Sequence, residues 1–138
     1  MPEMVQESFV GTWNLVALAG EGALIDRLGA NPVGILIYDN SAHMAVQIMN
    51  RGRGRISLKT AEDFKEAFQS YVSYFGKYSI DLQEQSVTHH VVGSLSPMDV
   101  GSQFKRLYEF SGDHLILTAE GIIGGEQIAA QLIWQRNL

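Results

Sequence analysis

An all-β fold is expected: a single up-and-down antiparallel barrel of about eight strands with one helix. Three observations predict it. Short runs rich in Val, Ile, Leu and Tyr recur along the chain, separated by Gly, Asn, Asp and Ser. The predicted strands are Phe9–Ala19, Val33–Tyr38, His43–Met49, Lys77–Leu82, Val87–Gly93, Gln103–Phe110, His114–Thr118 and Gln127–Gln135. The breaks carry turn chemistry: Asp39-Asn40-Ser41 and Ser111-Gly112-Asp113 read as tight hairpins, and Gly124-Gly125 precedes the last strand. Only one segment, Thr60 to Phe75, changes period.

In that segment Phe64, Ala67, Phe68, Tyr71, Val72 and Phe75 follow helical spacing, which predicts about four turns of amphipathic helix. Thr60 with Asp63 resembles a capping box, and Gly76 stands where a helix C-cap glycine belongs. The aromatic stripe is expected to pack on the barrel. Meandering strands with one inserted helix suggest closure, which removes strand edges and leaves room for one small ligand.

No repeat or linker interrupts the 138 residues, so residues 1–138 read as one domain. A domain this long buries enough surface to fold without a staple. Cysteine is absent, which excludes disulfides, zinc–thiolate sites and cysteine nucleophiles. The net charge of −5 argues against nucleic acid as the main partner. Arg51, Arg53, Arg55 and Lys59 form a local basic loop without interleaved aromatics and read as a solvated surface. No apolar run reaches the ~20 residues that span a bilayer. The N-terminus lacks the basic and apolar regions of a secretory signal, so the expected compartment is the cytoplasm. Val33, Ile35 and Ile37 put apolar side chains opposite Leu36 and Tyr38, so that strand needs cover on its outer face. The helix or a second copy of the chain, in a homodimer, would supply it.

Gly11-Thr12-Trp13 matches the Gly-x-Trp pattern of lipocalins and the wider calycin barrels. Further pieces follow in order: Gly34-Ile35-Leu36-Ile37-Tyr38, His43 to Met49, Tyr74-Phe75-Gly76-Lys77-Tyr78 and Thr88 to Leu95. Together they resemble the short bacterial and fungal lipocalin-like domain proteins over nearly the whole chain. The resemblance implies that a late arginine, Arg136, stacks across Trp13 and closes one barrel end. That family is functionally diverse, and a fold does not fix a function.

Alternation sorts the remaining residues. If Trp13 points inward, so do Leu15 and Ala17. If Arg136 reaches Trp13, then Ile128, Ala130, Leu132 and Trp134 share the interior. Solvated Lys105 and Glu109 put Phe104, Arg106, Tyr108 and Phe110 inside. An inward arginine needs a partner or an anionic or carbonyl ligand. Arg106 is therefore either a ligand anchor or a second structural arginine. His89 and His90 face opposite sides of their strand, and His90 is taken as the inward one, a general base if the protein is an enzyme. Tyr38 and Gln47 are candidate hydrogen-bonding groups, and Tyr71 and Phe75 would line the mouth. The expected ligand-binding set is Tyr38, Gln47, Tyr71, Phe75, His90, Arg106, Tyr108 and Trp134. No metal and no cofactor is expected.

The expected function is binding of a small, largely apolar molecule in the barrel. The alternative is a cofactor-independent cyclase or isomerase acting on a natural-product-type substrate in the same cavity, with His90 and Arg106 as its working groups.

Overall fold

Asp39 shows how the chain reverses. Its side-chain oxygen accepts from the backbone N–H of Ser41 (2.9 Å) and of His43 (2.8 Å), while Ala42 takes a left-handed φ of 68°. This side-chain-closed turn joins strands β2 (Val33–Tyr38) and β3 (His43–Met49), both with the predicted bounds. At the other hairpin Ser111 pairs with His114, so only Gly112 and Asp113 form the loop, and Gly112 supplies the positive φ of 62°.

The computed structural model describes residues 2–123 and 126–137. Gly124-Gly125 lies outside them. The remaining strands are β1 (Gly11–Glu21), β4 (Tyr71–Asp81), β5 (Ser86–Ser94), β6 (Gln103–Ser111), β7 (His114–Ile123) and β8 (Glu126–Arg136). Each pairs antiparallel with its neighbour in sequence, and β8 pairs back onto β1 to close the barrel. The closed eight-strand, up-and-down barrel is the expected architecture. Among the described residues, no helix is long and apolar enough to cross a membrane.

The helices differ from expectation. There are three among the described residues: α1 (Pro2–Phe9), α2 (Ala23–Leu28) and α3 (Ala61–Gln69). Helix α1 plugs one end of the barrel. Phe9 is fully buried there, with ring centroids 5.3 Å from Tyr38 and 5.0 Å from both Tyr108 and Phe110. Phe9, read as the start of a strand, is instead the last residue of this helix. Helix α2 covers the opposite mouth, between Gly22 (φ 132°) and Gly29 (φ 85°).

The predicted four-turn helix stops at Gln69, and Tyr71–Phe75 begins β4. Positions 71 and 75 share a face under either period, so helical spacing did not separate the two states. Tyr, Val and Phe fit a pleated surface, and pairing from Met49↔Tyr71 to His43↔Lys77 gives their backbone a sheet ladder. Gly76 is therefore no helix cap. It lies in β4, where a Cβ would overlap the His90 carbonyl oxygen. The aromatic stripe does not bury either: Phe64, Phe68 and Phe75 stay exposed, Phe68 at 47%. Helix α3 is instead tied down by polar contacts, Arg53 donating to the Ala67 carbonyl and Arg27 to that of Gln69, both at 3.2 Å. On β2, Val33, Ile35 and Ile37 are exposed as well.

The start of α3 is as expected. Thr60 Oγ1 accepts from the Asp63 N–H at 3.1 Å, and the Asp63 carboxylate accepts from the Thr60 N–H at 3.2 Å. Hydrogen bonds from the Lys59 backbone, the Ser57 hydroxyl and the Thr60 backbone hold Asp63 below its ordinary pKa. Thr60→Ala is expected to cost about 1 kcal/mol. Amide exchange should quicken in the first turn of α3 and stay unchanged in β4.

Candidate functional site

Two bulges decide which side chains enter the barrel. In β1, Val16 is the extra residue: Leu15 pairs with Trp134, but Ala17 pairs with Ile133 and Leu18 with Leu132. Leu18 therefore turns inward and Ala17, expected inside, turns out. In β5, Phe75 pairs with Gly93 and Gly76 with Val91, leaving Val92 as the extra residue. Alternation counted down from Ser94, the partner of inward Tyr74, would put His90 inside. The bulge reverses it. His89 is the inward histidine, 2% exposed, between inward Tyr78 and Phe104. His90 lies on the outer face, its Nε2 2.8 Å from Ser79 Oγ.

At the closed end Trp13 is 1% exposed and donates its indole N–H to the Phe9 carbonyl at 2.9 Å. The Arg136 guanidinium lies 4.2 Å from the Trp13 ring and donates to the carbonyls of Val10 (2.8 Å) and Ser8. The closure implied by the resemblance is present.

Above this plug lies an interior cavity of about 60 Å³, several times the ~10–15 Å³ that one water needs. Leu36, Val46, Ile48, Leu117 and Ile128 give it an apolar wall, and Leu24, Ile25 and Leu28 of α2 cover it. Four polar side chains border it: Tyr74, His89, Arg106 and Trp134. Of the predicted set, Arg106 and Trp134 reach this space. Tyr38 stands just behind it through His89. Tyr108 points inward but belongs to the closed end, against Phe9. Gln47, Tyr71 and Phe75 lie outside the barrel, where the Tyr71 hydroxyl donates to Gln47 Oε1 at 2.8 Å. The reason is register: the inward residues of β3 are Met44, Val46 and Ile48, which leaves Gln47 and its β4 partner Ser73 facing out.

A family model for the lipocalin-like domain matches residues 10–137. The chain belongs to this lipocalin-like family. A search of curated proteins finds no match. The lipocalin-like barrel supports a ligand-binding role in general.

The polar cluster inside this lipocalin-like barrel is a chain. His89 Nε2 is 2.6 Å from the Tyr38 hydroxyl and Nδ1 is 2.7 Å from the Tyr74 hydroxyl. Arg106, 6% exposed, lies within hydrogen-bonding reach of Tyr74, donates to the Lys105 carbonyl at 3.3 Å and packs 5.0 Å from the Phe104 ring. Burial raises the pKa of both tyrosines, Tyr38 strongly, and keeps them neutral. Burial, then the Arg106 and His90 charges, hold His89 well below 6.5, so the imidazole is neutral. Sequence reasoning missed Tyr74 and His89. The signal available was the period-two run Tyr74, Gly76, Tyr78, hidden beneath the helical reading.

The His89 shift fixes a pH dependence. Its folded pKa is lowered, so the unfolded chain binds the extra proton first, and stability falls as pH drops below about 6.5. Denaturation midpoints should fall between pH 6.5 and 5, and His89→Gln should flatten that slope. An unchanged slope in the variant would remove His89 as its source. Asp39 and Asp63 also have lowered values, but they act below their ordinary 3.8, in a separate window.

Proposed function

We propose that the barrel binds a small, largely apolar molecule whose oxygen lies at the buried end of the cavity, beside Arg106. One observation carries this reading: a buried guanidinium borders an apolar cavity, and among the described residues its hydrogen bonds go to neutral oxygens. An uncompensated buried cation costs several kcal/mol, and a ligand carboxylate or carbonyl oxygen would offset that cost. The Trp134 indole supports the same reading. Its Nε1, on the same cavity wall, is buried without a hydrogen-bond partner among the described residues, a donor that a ligand acceptor would satisfy.

A second reading, a cofactor-independent cyclase or isomerase, draws on the Tyr38–His89–Tyr74 chain. The neutral imidazole joins the two hydroxyls, and a proton passed along this chain would reach the cavity at Tyr74.

Calorimetric titration with hexanoate and hexylamine tests the binding reading. The two share an alkyl chain and differ in charge. Saturable binding of hexanoate, with hexylamine at least tenfold weaker, is expected. Equal binding of both, or no binding of hexanoate, would overturn it.

A further inference from the structure

The hydrogen bonds of the buried chain admit a proton count. Neutral His89 has one N–H and one bare nitrogen, and each ring nitrogen faces one tyrosine hydroxyl. Two arrangements are available. In the first, Nε2–H donates to Tyr38 and Tyr74 donates to Nδ1. The Tyr38 hydrogen is then left without an acceptor, because the only hydrogen bond of the Tyr38 hydroxyl among the described residues is to His89. Tyr38 is 1% exposed and does not border the cavity, so no ligand reaches it. An orphaned buried donor keeps its full desolvation penalty, which disfavours this arrangement.

In the second arrangement Tyr38 donates to Nε2, and Nδ1–H donates to the Tyr74 oxygen. Arg106 approaches that same oxygen. Nδ1–H then occupies the Tyr74 oxygen from the His89 side, and the hydroxyl's own hydrogen must point elsewhere. Tyr74 borders the cavity. The buried Asp99 carboxylate acts on Tyr74 through its field. The hydrogen left over therefore lies on the side chain that a ligand meets.

We infer that the Tyr74 hydroxyl is the hydrogen-bond donor to the ligand, held in that role by Tyr38 and His89 behind it and sharpened by Arg106, and that the ligand presents a carbonyl-type oxygen with no hydrogen of its own. The inference rests on the binding reading above and deepens it. Its specificity follows from the inventory of the wall. Tyr74 and Arg106 donate, Trp134 Nε1 is an unmet donor, and both His89 nitrogens are engaged. An alcohol arrives with a hydrogen that meets mostly donors among the described side chains of this wall, whereas a ketone brings only lone pairs. A site of unmet donors selects against ligands that must themselves donate. Tyr74 is thus a specificity-determining residue, and Tyr38 and His89 are positioning residues.

Two measurements test this. The first needs no ligand: nitrogen-15 NMR of the His89 ring in the wild-type protein. The hydrogen on Nδ1, with Nε2 bare, is expected. A hydrogen on Nε2 would spend the Tyr74 hydrogen on Nδ1 and overturn the inference, leaving the Arg106 reading intact. The second uses 2-hexanone and 2-hexanol as probes. The ketone should bind the wild type more tightly than the alcohol, and its bound carbonyl stretch should lie at lower wavenumber than in Tyr74→Phe. That variant should bind the ketone about 3–10-fold more weakly, the worth of one neutral hydrogen bond. An alcohol bound as well as the ketone, or a carbonyl band that Tyr74→Phe leaves in place, would overturn the inference while hexanoate binding still stood. If the wild type bound neither hexanoate nor 2-hexanone, the binding reading and the inference would fall together.

Discussion

Trp13→Ala should destabilise the protein by about 3–5 kcal/mol, the range for large buried aromatics cut to alanine. Three losses coincide at this site. The indole, 1% exposed, vacates the floor of the barrel. Its N–H no longer meets the Phe9 carbonyl, which holds the C-terminal end of α1 against the barrel. The Arg136 guanidinium, 4.2 Å from the ring, loses its aromatic face. Few domains of this size have more than 5–15 kcal/mol to lose. Urea unfolding should show a midpoint well below that of the wild type. A wild-type midpoint would mean that the Trp13 floor does not hold the barrel together.

The two interior-facing arginines should separate function from stability. Arg106→Met keeps much of the side-chain volume and removes a buried cation whose hydrogen-bond partners, among the described residues, are neutral. Replacing buried charge by apolar groups is often neutral or stabilising. Stability is expected to stay within about 1 kcal/mol of the wild type or to rise. Hexanoate affinity should fall about 10–100-fold, the worth of a charge-assisted hydrogen bond. Arg136→Ala should do the opposite. It loses hydrogen bonds to the Val10 and Ser8 carbonyls and the stack on Trp13, about 2–4 kcal/mol together. Hexanoate affinity should not change. Paired unfolding curves and titrations of both variants check this, and a single variant that lost both properties equally would join what the structure separates.

The barrel was legible because its signals are local. Turn residues at Asp39 and Gly112 and period-two runs on β2, β3, β6 and β8 survive without knowledge of the neighbours. Alternation placed Arg106 inside, and, starting from the Trp13–Arg136 closure that the resemblance implies, Trp134 as well; the structure has both there and has the closure. The misplacements have two causes. A bulge adds one residue to one strand and flips every side chain beyond it. Val16 did this to Ala17 and Leu18, and Val92 did it to the histidine pair. The second cause is a spacing of four, which is even and so compatible with a strand as well as a helix. It moved Tyr71 and Phe75 onto a helix that ends at Gln69, and it concealed Tyr74. Helices α1 and α2 are short, eight and six residues, and are held by the barrel ends rather than by their own sequence pattern.

The central claim, that a ligand oxygen lies inside the barrel at Arg106, is tested most directly by locating a bound probe. Nuclear Overhauser contacts between hexanoate and methyl groups of the isotope-labelled protein give that position. Contacts are expected from the hexanoate chain to Leu36, Val46, Ile48 and Ile128, which line the cavity, and to Leu24 and Leu28 of α2. Contacts confined to Val33, Ile35 and Ile37, on the outer face of β2, would contradict the account.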